Sequence, residues 1–250
     1  MTNPLAAAAD AVRFLSVLPL PGRGSEPRPL AASLPWFPLV GAAIGVVLGG
    51  IGLGLDRVLP PGPVAAILLA IAVAVTGGLH LDGLMDTADG VFGGRTPTRR
   101  LEIMRDSRVG AFGVMAGSLA ILLQWACLAE LRGEDRLRLL VVACASARWA
   151  MVVAVVLFPA ARAAGLGATM RQHAGRGPLL VATILAVVVA VVAGEAGAVG
   201  FAVAVIVASV AGRFLSGRLG GLTGDTYGAI AVVTETTALV AMLATRHGLG

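Results

Sequence analysis

The sequence predicts an all-α fold, a bundle of helices that crosses a membrane several times. Of its 250 residues, 57% are hydrophobic and only 13% are charged, and the mean hydropathy is +0.90. A soluble domain carries about 25% charged residues, so this chain has too few charges to cover a globule in water. Its 34 glycines favour close packing of helices in lipid. We expect a single integral membrane domain over residues 1–250.

Seven apolar segments approach the length of about 20 residues that a helix needs to cross a bilayer. Two of them, Val64–Leu79 and Leu179–Ala193, are short, so five or six spans are also compatible with the sequence. The remaining five are Trp36–Leu55, Phe112–Leu131, Leu139–Phe158, Ala198–Leu215 and Tyr227–Thr245.

The arginines indicate how the bundle is oriented. Every basic residue is arginine, and with seven spans 13 of the 19 lie on one side of the membrane and five on the other. Because cytoplasmic loops carry the excess of positive charge, we expect the richer side to be cytoplasmic, in the cell's plasma or inner membrane. Arg99 and Arg100 are interpreted as part of this general charge. The same face then collects three polar segments, which are His80–Arg108, Pro159–Gly177 and Arg213–Asp225.

Three aspartates follow the second apolar segment. Asp82, Asp86 and Asp89 are spaced i, i+4 and i+7, which places them on one stripe of a helix. Like charges this close need a cation, and Mg²⁺ takes carboxylate oxygens while bridging to substrate phosphates. We predict a magnesium site here, with a solvated helix face as the alternative. His80 is interpreted as a structural or outer residue, because zinc would need further His or Cys nearby.

A dense polar cluster precedes the third apolar segment. It contains Arg105, Asp106 and Arg108, and it comes soon after the three aspartates. Carboxylates for a metal beside guanidinium groups for anions suit phosphoryl transfer. We predict that Arg105 and Arg108 bind phosphate and that Arg162, in a later loop, reaches the same group. The arginines are not interleaved with aromatic residues, so nucleic acid is not an expected partner.

Further charges lie at or within the apolar segments. Asp225 comes just before the last one, Glu235 lies ten residues further on, and Arg148 interrupts the fourth. Charged side chains in a membrane usually face a cavity, a partner or a metal. We predict that Asp225 or Asp106 accepts a proton during catalysis. Glu235 could pair with Arg148 inside the bundle, and the roles of both stay open.

The chain resembles the cobalamin synthase family, whose members are adenosylcobinamide-GDP ribazoletransferases. The resemblance lies in stretches that follow one another along nearly the whole chain, namely RFLSVLPLPG, WFPLVGAAIG, GGLHLDGLMDTADGVFGG, LEIMRDSRVGAFGV and GGLTGDTYGA. It implies a membrane enzyme late in vitamin B12 assembly that requires Mg²⁺. This enzyme would join α-ribazole or its 5′-phosphate to adenosylcobinamide-GDP and release GMP. We expect the 5′-oxygen of α-ribazole, or an oxygen of its phosphate, to attack the phosphorus attached to cobinamide.

The resemblance also implies roles for individual residues. By their place in the motifs, the three aspartates of the stripe are the metal ligands, Arg105, Asp106 and Arg108 belong to the pyrophosphate site, and Asp225 is a site residue. The family often has another acidic residue shortly before the position of Glu235. Residues 231–233 of this chain are apolar instead.

Two other functions remain compatible with the residues alone. A CDP-alcohol phosphatidyltransferase also clusters aspartates at helical spacing, but its D-G-x-x-A-R run does not follow Asp82 here. A transporter would place its acids near mid-bilayer in broken helices, whereas these acids cluster at one face. The expected partners are the two substrates and the lipid bilayer, and a homo-oligomer is left open.

Overall fold

The computed structural model describes residues 3–20, 29–172 and 174–248, and eleven α-helices account for most of them. A short 3₁₀ helix, Leu30–Trp36, leads into the second of them. No β-strand occurs within these ranges, apart from one isolated bridge between Ala160 and Leu222. The helices are α1 (Pro4–Leu15), α2 (Phe37–Leu55), α3 (Pro61–Thr76), α4 (Leu79–Gly93), α5 (Pro97–Ile103), α6 (Ala111–Ala129), α7 (Gly133–Leu157), α8 (Leu166–Gln172), α9 (Arg176–Val192), α10 (Glu195–Leu219) and α11 (Gly224–Gly248).

The predicted membrane bundle is confirmed, with fewer long spans than the seven apolar segments suggested. In the described part of the chain, five helical segments are long and apolar enough to cross a membrane. They are Leu30–Leu55, α6, α7, α10 and the Gly224–Arg246 part of α11. A sixth results if α3 and α4 together form one bent span, and α9 has only 17 residues.

Helix α7 is the centre of the bundle, where it packs against α2, α9, α10 and α11. Its contact with α2 depends on Gly41, Gly45 and Gly49, which repeat every four residues and so share one face of α2. A Cβ added at Gly41 would lie 2.3 Å from the carbonyl oxygen of Cys144, and one at Gly45 would lie 2.5 Å from the Cα of Val141. These glycines therefore let the two backbones touch, as small residues do in membrane bundles.

Polar contacts connect the loops at the end of the bundle where α7 begins. Asp56, which follows α2, accepts a hydrogen bond from Arg136 Nη1 at 2.7 Å and one from the backbone N–H of Gly133 at 2.9 Å. Arg246 near the end of α11 pairs with Asp135 at 2.6 Å. The three polar segments that the sequence analysis assigned to one face begin or end at the opposite end, where α7 finishes.

Helix α4 leaves α3 at an angle of 88°. The turn between them consists of Gly77 and Gly78, whose φ values of 63° and 70° are left-handed. Glycine adopts this conformation without the steric cost that a Cβ would bring. The apolar pattern predicted that the second span reaches Leu79, but α3 ends at Thr76. The acidic segment is consequently a separate helix, which packs against α11 and α6.

The packing of α2 on α7 gives a first prediction. Replacing Gly45 by Ala should lower the free energy of unfolding by about 1–3 kcal/mol, because the added methyl group overlaps the α7 backbone. The measurement is the thermal unfolding midpoint of the purified protein in one detergent.

Gly50→Ala is the matched control for this prediction. It lies on the same helix, a Cβ there would meet no atom within 4 Å, and Ala has the higher helix propensity. Its unfolding midpoint should be unchanged or slightly higher. Equal midpoints for the two variants would contradict the proposed packing.

Candidate active site

Two glycines bring α4 and α11 into backbone contact. A Cβ at Gly83 of α4 would lie 2.6 Å from the carbonyl oxygen of Asp225, and one at Gly228 of α11 would lie 3.1 Å from the Cα of His80. Larger side chains at either position would push the helices apart. The first two turns of α4, which carry Asp82 and Asp86, are thus held beside the first turn of α11, which carries Asp225.

A pair of backbone hydrogen bonds adds a third segment to this site. The N–H of Ala161 donates to the carbonyl of Leu222 at 2.8 Å, and the N–H of Leu222 donates to the carbonyl of Pro159 at 2.7 Å. These bonds align the loop after α7 with the loop before α11. They place Arg162 close enough to Asp225 for their charges to interact.

The three segments enclose a cleft with a volume of about 150 Å³. Its polar lining includes His80 and Asp82 from α4, Arg162 from the loop after α7, and Thr223 and Asp225 from the start of α11. Phe14, Met151 and Tyr227 also line it, together with residues of the loop after α7 and the start of α8, which are Ala164, Gly165, Gly167 and Ala168. The cleft therefore combines two carboxylates with one guanidinium group, a set that suits a metal ion and a phosphate.

Arg162 is held in place by one hydrogen bond and retains a free donor. Its Nη2 donates to the carbonyl of Leu101 at 2.9 Å, while its buried Nε has no partner among the described residues. Burial and then the nearby charge of Arg105 lower the pKa of Arg162, and Asp225 raises it. An arginine nevertheless stays protonated at physiological pH, so its positive charge and free N–H are available to an anion.

The carboxylates on α4 crowd one another. Asp86 is half-buried and interacts electrostatically with Asp82, Asp89 and Asp225. Asp225 accepts a weak hydrogen bond from the hydroxyl of Thr223 at 3.3 Å. Like charges in a partly buried site repel one another unless a cation or a proton offsets them. This arrangement favours binding of a cation beside Asp82, Asp86 and Asp225.

Asp89 has a different environment from the other two aspartates of the stripe. Its Oδ2 accepts the N–H of Gly110 at 2.6 Å, and its Oδ1 accepts the N–H of Gly113 at 2.8 Å. Both N–H groups lie at the start of α6, where they have no partner within the helix. The carboxylate therefore caps that helix. Asp89 is only 7% exposed, and with both oxygens engaged it is the least suited of the three to hold a metal.

The Arg105–Arg108 segment lies on the exposed surface. Arg108 forms a two-pronged contact with Asp106, with distances of 3.0 Å from Nε and 2.7 Å from Nη2 to the two carboxylate oxygens. Hydrogen bonds from the side chain and the backbone of Arg108 lower the pKa of Asp106 to about 2. Within this segment, Arg105 lies close enough to Arg162 for their charges to interact.

The residues present fit Mg²⁺ only with help from a substrate. Among the described residues, no group of three or more His, Cys, Asp or Glu side chains is arranged to hold a metal ion alone. Mg²⁺, however, commonly takes one or two carboxylates and completes its shell with water and substrate phosphates. Asp82 with Asp86 or Asp225 could serve in this way, next to a guanidinium group that suits the phosphate.

The remaining candidates lie deeper in the bundle. Arg148 of α7 donates to Glu235 of α11, so the ion pair that the sequence suggested is present. His80 is buried, borders the cleft, and has an Nε2 atom without a hydrogen-bond partner in the described structure. None of these three side chains belongs to the crowded carboxylates.

Sequence reasoning misjudged Arg100 and missed Tyr227. Arg100 is not general surface charge, because it is 8% exposed and donates to the carbonyls of Gly94 and Arg218 at 3.0 and 2.9 Å. It thereby ties α5 to the end of α10. Tyr227 lines the cleft only two residues after Asp225, and that proximity was the one signal available for it.

The chain is similar to proteins of one family along most of its length. Residues 7–243 match a family model described as cobalamin-5-phosphate synthase. An adenosylcobinamide-GDP ribazoletransferase of Desulforamulus reducens is 39% identical over 93% of this chain and 94% of its own. One of Roseiflexus is 40% identical over 96% and 90%, and one of Deinococcus radiodurans is 40% identical over 92% and 82%. No solved structure matches the chain. The match to the family model and these identities show that the chain belongs to the cobalamin-5-phosphate synthase family.

Proposed function

We propose that this chain is a membrane transferase that joins α-ribazole or its 5′-phosphate to adenosylcobinamide-GDP and releases GMP. The names of its relatives supply the substrates. The observation in the structure that supports the reaction is the cleft where Asp82, Arg162 and Asp225 converge from three separate segments. Carboxylates and a guanidinium group around one cleft are what the transfer of a pyrophosphate-linked group needs.

The family description also bears on which oxygen attacks. Its product is a cobalamin 5-phosphate, so the phosphate of the nucleotide substrate is retained. We therefore assign the attack to another ribose hydroxyl. This assignment replaces the expectation from the sequence that the 5′-oxygen of α-ribazole or an oxygen of its phosphate attacks. A bond forms between this oxygen and the cobinamide-linked phosphorus, and the bond from that phosphorus to the bridging oxygen breaks. GMP leaves with the bridging oxygen.

The side chains in and beside the cleft divide this work. Asp82 and Asp86 would hold Mg²⁺, which when bound supplies positive charge to the phosphate oxygens. Arg162, joined by Arg105, binds non-bridging oxygens through its free N–H and its charge. Asp225 faces the same cleft and accepts the proton of the attacking hydroxyl. Most of the rate gain then comes from positioning and from charge that is already in place.

We further propose that the cleft opens to the cytoplasm. The loops that surround it contain Arg105, Arg108 and Arg162, and arginine-rich loops stay on the cytoplasmic side of a membrane. This orientation gives a nucleotide in the cytoplasm direct access to the cleft.

Asp82→Asn should lower turnover about 100-fold or more, because a neutral amide holds Mg²⁺ more weakly and the positive charge that the ion would supply to the phosphates is lost. The measurement is GMP release by the purified protein from adenosylcobinamide-GDP, α-ribazole and excess Mg²⁺. For the wild-type protein, release should require all three components. Glu102→Gln is the control, since Glu102 is exposed and pairs only with Arg99 in the described structure. Near-normal turnover of Asp82→Asn would overturn the proposed metal site.

Asp89→Asn separates helix capping from metal binding. Gly110 and Gly113 donate to different oxygens of Asp89, and in the amide one of these oxygens becomes an NH₂ group that faces an N–H donor. One of the two hydrogen bonds is then lost, so the unfolding free energy should fall by about 1–3 kcal/mol. The Mg²⁺ concentration that gives half-maximal activity should not change. The measurements are thermal unfolding and a Mg²⁺ titration of GMP release. A clear rise in the half-maximal Mg²⁺ concentration would show that Asp89 is a ligand.

Asp106→Asn tests which carboxylate accepts the proton. The pKa of Asp106 is lowered to about 2 by Arg108, so this group is ionised at every pH above that value. It therefore contributes no titration between about pH 5 and 9, and the variant should keep the shape of the wild-type pH profile of kcat/KM. Loss of the acidic limb in this variant would make Asp106, and not Asp225, the proton acceptor.

A further inference from the structure

A second, larger cavity lies among α3, α4, α6, α7 and α11, and it opens at the surface beside α6, where Leu122 and Trp125 are exposed. Its volume is about 530 Å³, within the range of small-molecule sites of roughly 300–1,000 Å³. Its walls are mainly apolar, with Leu69, Trp125 and Val232 among them. Three groups in the lining can ionise, namely His80, Arg148 and Glu235.

Two buried nitrogen atoms of this lining have no hydrogen-bond partner in the described structure. They are Nε2 of His80, which is 5% exposed, and Nε of Arg148, which is 4% exposed. The Cys144 thiol lies near Arg148, but a thiol is a weak acceptor. Buried polar atoms in folded proteins are normally paired, so these two nitrogens point to a ligand that supplies an acceptor.

The charge in the cavity is already balanced. Arg148 pairs with Glu235 through Nη1, and this pair leaves no net charge for a ligand to neutralise. A charged occupant would lose its hydration among apolar walls without an unpaired counter-charge. The cavity consequently suits a neutral, mostly apolar group with one hydrogen-bond acceptor.

His80 connects this cavity to the catalytic cleft. It borders the cleft together with Asp82 and Asp225, and it also lines the inner cavity together with Arg148. The cleft and the cavity therefore adjoin at this side chain, and one molecule with a part on either side of it would occupy both. Such a molecule has a polar end that reacts and an apolar end that is buried.

We infer that the cavity binds the heterocyclic base of the ribazole substrate while its ribose lies in the cleft. This inference rests on the proposed function. The base of ribazole is a benzimidazole, a flat bicyclic ring that is neutral and apolar. One of its nitrogens carries the ribose and the other remains an acceptor, which matches the unpaired donor of Arg148 and, when Nε2 is protonated, that of His80.

The other substrate is a poorer occupant on both size and polarity. Guanine carries more donors and acceptors than a benzimidazole does, and they would lose water against walls that are mainly apolar. A corrin ring with its side chains is far larger than a benzimidazole and exceeds the room that an inner cavity of about 530 Å³ leaves. The nucleoside is thus the substrate whose shape and polarity match.

Val232→Phe tests the inference by filling the cavity. Val232 is on α11 and lines the cavity but not the cleft. The KM for α-ribazole should rise about tenfold or more, while the KM for adenosylcobinamide-GDP stays unchanged. Leu122→Trp narrows the same cavity from a side chain that is 58% exposed, so it tests the inference if Val232→Phe does not fold.

Ala43→Phe is the matched control, because Ala43 lines a separate apolar cavity beside α1 and α2. It should leave both KM values unchanged. An unchanged KM for α-ribazole in a folded Val232→Phe or Leu122→Trp variant would overturn the inference. The inference would also be overturned if a lipid chain occupied the cavity during turnover and the affinity for α-ribazole were the same in the variants that fill the cavity.

A binding experiment separates this inference from the proposed function. Isothermal titration of α-ribazole into the wild-type protein in lipid nanodiscs, without the second substrate, should show binding that Val232→Phe weakens about tenfold. If the wild-type protein releases no GMP but binds α-ribazole in this way, the proposed reaction fails and the cavity assignment stands. If it releases GMP but Val232→Phe binds α-ribazole as the wild type does, the cavity assignment fails alone.

Discussion

The right-angle turn at Gly77–Gly78 determines where the functional groups of this protein lie. Both residues adopt a left-handed conformation, and the N-terminal segment closes over the turn, where the N–H of Val17 donates to the carbonyl of Val75 at 2.8 Å. A Cβ at Gly77 would lie 2.8 Å from the Val17 side chain. If α3 continued straight, its extension would carry Asp82 away from Asp225. The turn instead lays α4 against α11, and Gly83 and Gly228 make that contact close enough to build a cleft.

This geometry gives the three aspartates of α4 different tasks. Asp82 is exposed in the cleft, Asp86 is half-buried among like charges, and Asp89 is buried against the start of α6. A carboxylate at the N-terminus of a helix interacts favourably with the N–H groups and with the helix dipole. Asp89 therefore fixes the position of α6 relative to α4. The repulsion that remains between Asp82, Asp86 and Asp225 favours a cation in the cleft.

The sequence was sufficient for those features that depend on local pattern. Hydropathy predicted the membrane bundle, because each span is a continuous apolar run. Helical spacing correctly placed Asp82 and Asp86 on one face. The distinct role of Asp89 could not be predicted, because its partners Gly110 and Gly113 are 21 and 24 residues away. The burial of Arg100 could not be predicted for the same reason, because the carbonyl of Arg218 that it donates to is 118 residues away.

The Arg148–Glu235 pair shows how one interaction can serve both the fold and recognition. Arg148 lies on the central helix, and removing either partner would leave a charge buried in the bundle, at a cost of about 3–5 kcal/mol. Two apolar side chains of similar volume would hold the helices together without that risk. They would not, however, keep a guanidinium group in the lining of an apolar cavity. A paired arginine can present a donor there without net charge, and this combination suits a neutral base with a single acceptor.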